Sequence, residues 1–223
     1  MGPGAGGPGT CCLLAVPPES PACPALAAPV PLVLVHGIWD TPRLFGRLET
    51  ALAGRRAPLL IPHLPHGLGF RPLEAMAGQL DQCIASSFPP GQPIDLLGFS
   101  MGGVIGRIWI QLLGGRRRTR RFFSVGSPQR GTLTAQPWPR WWLPTVADMK
   151  LGSPLLRQLN NDRTGLEGIE CHSYYCRTDQ MVIPPWRGVL PVGSVRALPV
   201  LSHKDLIVSP RALGPIVADL LVP

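Results

Sequence analysis

The chain has 223 residues, of which 45% are hydrophobic and 15% charged, and its formal net charge is +8. That length predicts one domain with a sizeable core and excludes a small scaffold held together by disulfides or metal. No stretch of about 18 uninterrupted apolar residues occurs, so no transmembrane helix is expected. No nucleic-acid motif accompanies the basic balance, and no aromatic residues alternate with the arginines as a single-strand-binding surface would need.

Residues 1–30 are rich in Gly, Pro and Ala and contain no Lys or Arg. They lack the positive start and long apolar stretch of a signal peptide, and read as a disordered leader outside the fold, with 31–223 as a single domain. From there strands alternate with helical patterns. An apolar run over 31–35 ends at His36-Gly37, and helical spacing follows over 41–52 (Leu44, Phe45, Leu48, Leu52). A short strand at 58–61 precedes a helix over 73–84. A strand at 94–99 precedes a helix over 102–113, and further strands are expected at 122–126, 170–176 and 195–201. A helix over 205–221 closes the chain. Strands separated by helices imply βαβ units: a mostly parallel sheet of about six strands with helices on both faces. Between two strands, residues 132–165 break this rhythm with Trp138, Trp141 and Trp142 beside Pro137, Pro139 and Pro144. Such an insertion reads either as a lid over a site or as a segment whose tryptophans pack it onto the domain.

The arginine run Arg116, Arg117, Arg118, Arg120 and Arg121 reads as a solvated loop after a helix, where cations complement the helix dipole. The alternative is attraction to an anionic lipid surface. The six cysteines (Cys11, Cys12, Cys23, Cys83, Cys171, Cys176) have no metal spacing and no disulfide framework. The odd offset of Cys171 and Cys176 puts them on opposite faces of one strand. Unpaired thiols and the lack of a signal peptide point to a cytoplasmic protein, and a monomer is expected.

The most informative segment is Ile94-Asp95-Leu96-Leu97-Gly98-Phe99-Ser100-Met101-Gly102-Gly103. Gly-x-Ser-x-Gly is common by chance in a chain with 26 glycines, but here a strand precedes it and a helix follows. That context sets Ser100 on a strained strand-to-helix turn, hydroxyl outward, with room only for glycine two residues before and after. A serine hydroxyl needs an imidazole to take its proton, and the imidazole needs a carboxylate to fix its tautomer. In such sheets the order is Ser, then acid, then His. Two of the five histidines follow Ser100. His172 lies within a strand pattern and reads as packed or hydrogen-bonded. His203 follows the apolar run 197–201 and precedes a helix, as a catalytic histidine should. Asp179 lies just past a strand and is the only carboxylate between Glu170 and His203. Asp148 and Asp162 lie in the insertion, Asp205 on the closing helix and Glu170 at a strand start, so Asp179 is the expected acid. The oxyanion donors expected are the backbone N–H groups of Met101 and Ile38, with the His36 side chain structural.

With these residues in place the chain resembles small bacterial triacylglycerol lipases and esterases of the α/β-hydrolase superfamily, from about residue 30 onward. Besides Gly98 to Gly102, the likeness lies in the Val-His-Gly strand end and in Ser124-Val125-Gly126-Ser127-Pro128-Gln129-Arg130-Gly131-Thr132. It extends to Asp148-Met149 with Gly152-Ser153, to 155–160 and to 175–184. Trp39-Asp40 stands where many lipases place further glycines, which narrows the acyl site, and the first two antiparallel strands of larger members are missing. The resemblance implies a serine carboxylic-ester hydrolase acting through an acyl-serine, with no metal or cofactor required. Its substrate would be a lipid or medium-chain acyl ester, and contact with an anionic membrane surface would accompany such a role. Acyl transfer, thioester hydrolysis and non-catalytic lipid binding share this scaffold.

Overall fold

The computed structural model describes residues 30–222, so the glycine-rich leader and Cys11, Cys12 and Cys23 lie outside the described residues. Six strands form one sheet: β1 (Leu32–Val35), β2 (Leu59–Leu60), β3 (Ile94–Phe99), β4 (Thr119–Val125), β5 (Glu170–Tyr175) and β6 (Ser194–Ala197). Their order is β2-β1-β3-β4-β5-β6, and every adjacent pair is parallel. β1 and β3 are buried at every position, as strands covered on both faces must be. Alternate residues feed two cores. Ile94, Leu96, Phe122 and Cys171 face one, while Leu97, Phe99, Phe123 and Tyr174 face the other. The cysteine expectation holds, since Cys171 lies in the first core and Cys176 in the second.

The first core lies beneath α2 (Leu73–Ser87), α3 (Met101–Leu112), α4 (Pro144–Asp148) and α5 (Pro154–Asn161). On α2, Leu73, Met76, Ala77, Leu80 and Ile84 form its apolar stripe. On α3, every residue from Met101 to Ile110 is buried, because the helix is enclosed by the sheet, α2 and α5. The second core lies beneath α1 (Gly46–Leu52), α6 (Asp205–Val208) and α7 (Pro210–Leu221).

The structure corrects several expectations. The closing helix over 205–221 is two helices, because Ser209 is extended (φ −78°, ψ 133°) ahead of Pro210, as a residue before proline prefers. The strand expected at 195–201 stops at Ala197, and Leu201 projects into solvent. The tryptophans of the insertion do not pack it onto the domain: Trp138, Trp141 and Trp142 are 38%, 85% and 48% exposed. Leu143, Val146, Met149, Leu155, Leu156 and Leu159 hold it down instead. Arg107 of α3 reinforces this. It is fully buried and donates to Gln129 O, Leu159 O and Asn160 Oδ1. Among the described residues no carboxylate is a hydrogen-bond partner of Arg107, and burial lowers its pKa to about 10.

The arginine run is not a solvated loop. β4 begins at Thr119, three residues earlier than the apolar pattern suggested, which draws Arg120 and Arg121 into the sheet. Both bind the buried Asp95 of β3, as does Arg56. Burial pushes the Asp95 carboxyl up, but hydrogen bonds from Arg120 and Arg121 and the field of Arg121 and Arg56 outweigh it, and the net direction is down. Arg121 also donates to the carbonyls of Asp219, Leu220 and Val222, capping the end of α7. Only Arg116 and Arg117 of the run are exposed, at the amino end of β4.

Candidate active site

The sheet's strand order reverses between β1 and β3, and the site lies at the carboxyl ends of these neighbours, where crevices form in open parallel sheets. Register brings the strand ends level: Val35 pairs with Gly98, Phe99 with Val125, and Val125 with Tyr174. The loops after β1, β3, β4, β5 and β6 therefore meet along one edge.

Ser100 occupies the turn between β3 and α3 with φ 53° and ψ −125°, a conformation that costs an L-residue roughly 1–3 kcal/mol. Its N–H donates to Val125 O at 2.8 Å, which fixes the turn over β4. The flanking glycines are obligatory. A Cβ on Gly98 would lie 2.6 Å from the Gly102 carbonyl carbon, and one on Gly102 2.6 Å from Val35 C and 2.7 Å from His36 O. These obstacles are backbone atoms and cannot rotate away.

His203, on the loop before α6, donates from Nδ1 to Asp179 Oδ2 at 2.8 Å. Asp179 Oδ1 accepts from the N–H groups of Met181 (2.8 Å) and Val182 (2.9 Å), so both oxygens of this buried carboxylate are engaged. The bond to Asp179 leaves the Nε2 lone pair free, and Nε2 is buried without a hydrogen-bond partner among the described residues. The ring packs over Phe99, centroids 5.0 Å apart, and against Gly126, where a Cβ would approach it to 3.2 Å. The structure thus brings all three residues singled out in the sequence to one edge of the sheet.

The two backbone donors also fall here. Met101 opens α3, a 12-residue helix whose positive end lies at Ser100. Ile38 follows Gly37, where a Cβ would come within 3.1 Å of Ser100 Cβ. Among the described residues neither N–H donates to another protein group. The next residue, Trp39, is held at φ 60° with its N–H donating to His66 Nε2 at 3.1 Å. His36 is structural: it donates from Nδ1 to Gly37 O and accepts from Leu64 N–H, and burial lowers its pKa. His172 is a packed histidine as expected, bonded to Glu170 and Ser194 and stacked 4.7 Å from Phe123. Asp148, the rejected alternative, is paired with Arg140 and caps Leu73 N–H.

Apolar side chains, among them Ile38, Trp39, Trp138, Val146, Met149 and Met181, surround a narrow cleft of about 80 Å³ beside Ser100. Four supporting contacts escaped sequence reasoning. Thr178 Oγ1 and Gln180 Nε2 both donate to Leu201 O at 2.8 Å, binding the Asp179 loop to the His203 loop. Thr132 Oγ1 donates to Met181 O and accepts from Ile183 N–H, binding the Asp179 loop to the insertion. Hydroxyls and amides at these positions carry no distinctive spacing, so no sequence signal marks them.

Comparisons with known proteins agree with this architecture. The mature lipase BlEst2 of Bacillus licheniformis superposes with a TM-score of 0.68 at 16% identity, covering 93% of this chain and 96% of that one. Aspergillus fumigatus lipase B gives 0.64 at 16% identity over 85% of this chain and 52% of its own. The phospholipase PlaB of Legionella pneumophila, in complex with thio-NAD, gives 0.63 at 16% identity over 86% and 58%. No curated protein sequence matches the chain. The model of the alpha/beta hydrolase family matches residues 32–216, every strand included, and this chain therefore belongs to the alpha/beta hydrolase family.

Proposed function

We propose that this protein is a serine carboxylic-ester hydrolase acting on acyl esters of lipid or medium-chain type. One observation carries the reading: His203, bonded through Nδ1 to the buried Asp179, keeps Nε2 free and packs its ring on Phe99, the residue that enters the strained Ser100 turn. In this reading His203 takes the Ser100 proton as Oγ bonds to the ester carbonyl carbon, and Asp179 stabilises the imidazolium that forms. The N–H groups of Ile38 and Met101 hold the oxyanion. The carbon–oxygen bond to the alcohol then breaks, and His203 returns the proton to the departing oxygen. Water, deprotonated by His203, resolves acyl-Ser100 to acid and free serine. Lipases among the structural neighbours support the ester class.

The surroundings support a lipid–water interface as the place of action. Trp138, Trp141, Trp142, Met181, Trp186 and Leu201, on loops at the carboxyl ends of the strands, expose large apolar surface around the cleft, and tryptophan favours such interfaces. The arginine run plays no part in this surface, because Arg116 and Arg117 lie at the sheet's opposite end.

The test is hydrolysis of p-nitrophenyl esters of increasing acyl length by wild type, Ser100→Ala, His203→Ala and Asp179→Asn. The expected result is turnover that Ser100→Ala and His203→Ala abolish and Asp179→Asn lowers by orders of magnitude. Full activity of a folded Ser100→Ala protein would overturn the mechanism. Full activity of His203→Ala alone would overturn the assignment of the base.

A further inference from the structure

Behind Trp39, on the side away from the apolar cleft, lies a second and wider one of about 510 Å³. Arg43 and Arg47 line it from the turn and helix after the oxyanion loop, and Lys204 lines it from the other wall, with Asp40 at its inner end. The three cations are exposed, and none forms an ion pair among the described residues. Arg47 Nη1 donates to Val208 O at 3.0 Å, which fixes this guanidinium and leaves its remaining N–H groups uncommitted. Among the described residues Asp40 is the only carboxylate in the lining, so cations outnumber it three to one. Its carboxyl adjoins Gly37, and it lies within the fields of His203 and Lys204, which places the cleft next to the catalytic residues.

The direction of the reaction says what this cleft faces. The acyl portion has its own apolar cleft beside Ile38 and Ser100. The leaving oxygen must come within reach of His203 Nε2, because that nitrogen returns the proton as the carbonyl carbon–oxygen bond breaks. Lys204 directly follows His203 and lines the basic cleft, and Asp40 of the same cleft lies within the field of His203, so this cleft is the charged surface next to the proton donor. We propose that Arg43, Arg47 and Lys204 bind a phosphate carried on the alcohol or thiol portion of the acyl substrate, and so select esters with an anionic leaving group. This assignment rests on the serine ester hydrolase reading for its catalytic consequence, but not for the binding of phosphate.

Two measurements test it. In the first, full-length Ser100→Ala protein is titrated calorimetrically with inorganic phosphate and with glycerol 3-phosphate, beside the same protein carrying R43Q, R47Q and K204Q. Binding is expected in the former at low salt, with a Kd at least about tenfold weaker in the latter and at high ionic strength. No binding, or equal binding by both proteins, overturns the proposal. Among the described residues Arg43 makes no hydrogen bond through its side chain, so R43Q alone serves where the triple variant fails to fold; it should weaken binding severalfold, and unchanged binding overturns the proposal.

In the second, kcat/KM is compared for butyryl esters of glycerol and of glycerol 3-phosphate, and for butyryl coenzyme A. The expected preference for a phosphate-bearing substrate is about tenfold, and this ratio falls toward unity in R43Q/R47Q. The better of the two phosphate compounds identifies the source as a glycerophosphate or a phosphorylated thiol. A ratio near unity in wild type overturns the proposal. Phosphate binding that is lost in the variants while no ester is turned over would sustain the cleft and sink the esterase reading.

Discussion

Replacing Asp95 with alanine should destabilise the protein strongly and leave its chemistry intact. Asp95 is fully buried and accepts from Arg56 Nη2 at 2.7 Å, Arg120 Nε and Nη2 at 3.0 and 2.9 Å, and Arg121 Nε and Nη2 at 3.0 and 2.6 Å. The three arginines are not equivalent. Arg120 is 35% exposed and can turn to water, so its loss counts for little. Arg121 is 1% exposed and would keep a buried charge with the carbonyls at the end of α7 and the face of Phe123, but no carboxylate among the described residues, to receive it. Removing one partner of a buried ion pair costs about 3–5 kcal/mol. For a chain of this size each kcal/mol lowers Tm by roughly 2–4 °C, so the expected fall is about 6–20 °C. Asp95 is five residues before Ser100 on an extended strand, roughly 16 Å away at 3.3 Å per residue. Ester turnover at low temperature should therefore stay within about twofold of wild type. The measurements are thermal unfolding by circular dichroism and kcat at 15 °C. A Tm shift under 2 °C would refute the buried-cluster argument, and a collapse of kcat in the folded variant would refute the separation of a structural end of the sheet from a catalytic one.

Other outcomes follow from the same structure. Gly102→Ala puts a Cβ against the backbone of Val35 and His36; the strand end carrying Ile38 must shift, costing about 1–3 kcal/mol and lowering kcat, and a stable, fully active variant would contradict the packing. His36 is buried with its pKa lowered, so the unfolded chain binds the proton more readily. Its contribution to stability is full above the unfolded pKa of about 6.5 and is lost as pH falls through the folded value; urea denaturation between pH 7.5 and 5 should show His36→Gln with a flatter profile than wild type. Arg107→Met leaves Gln129 O and Asn160 Oδ1 without their donor, while Leu159 O keeps that of Gln111 Nε2, at about 2–4 kcal/mol, and limited proteolysis should then cut within 132–165 faster than in wild type.

What could be read from the sequence was whatever has a local cause. Ser100 was legible because its flanking glycines answer a steric demand within five residues. Asp179 and His203 were legible because chain order and strand ends leave few candidates. Six parallel strands followed from alternating apolar runs and helical spacing. What escaped reading depends on contacts distant in sequence. Asp95 sits 25 residues from Arg120, and nothing in the string of arginines says that a carboxylate on the neighbouring strand will claim two of them. Tryptophan clusters suggest burial, yet aliphatic residues at helical spacing anchor the insertion and leave the tryptophans outside. The break at Ser209-Pro210 was written in the sequence as a residue before proline, but the apolar pattern runs across it and obscures it. The basic cleft was invisible because Arg43, Arg47 and Lys204 come from opposite ends of the chain and meet only when α1 and α6 pack side by side.

The central claim is that Ser100 becomes covalently acylated with His203 as its base. The most direct measurement is intact and peptide mass spectrometry after exposure to a p-nitrophenyl alkylphosphonate, whose phosphorus takes the place of the ester carbonyl carbon and is not released by water on the time scale of the assay. The account predicts a single phosphonyl adduct on the peptide containing Ser100, no adduct in Ser100→Ala, and labelling slowed by orders of magnitude in His203→Ala. An adduct on another residue, or none on folded protein that hydrolyses esters, would contradict it.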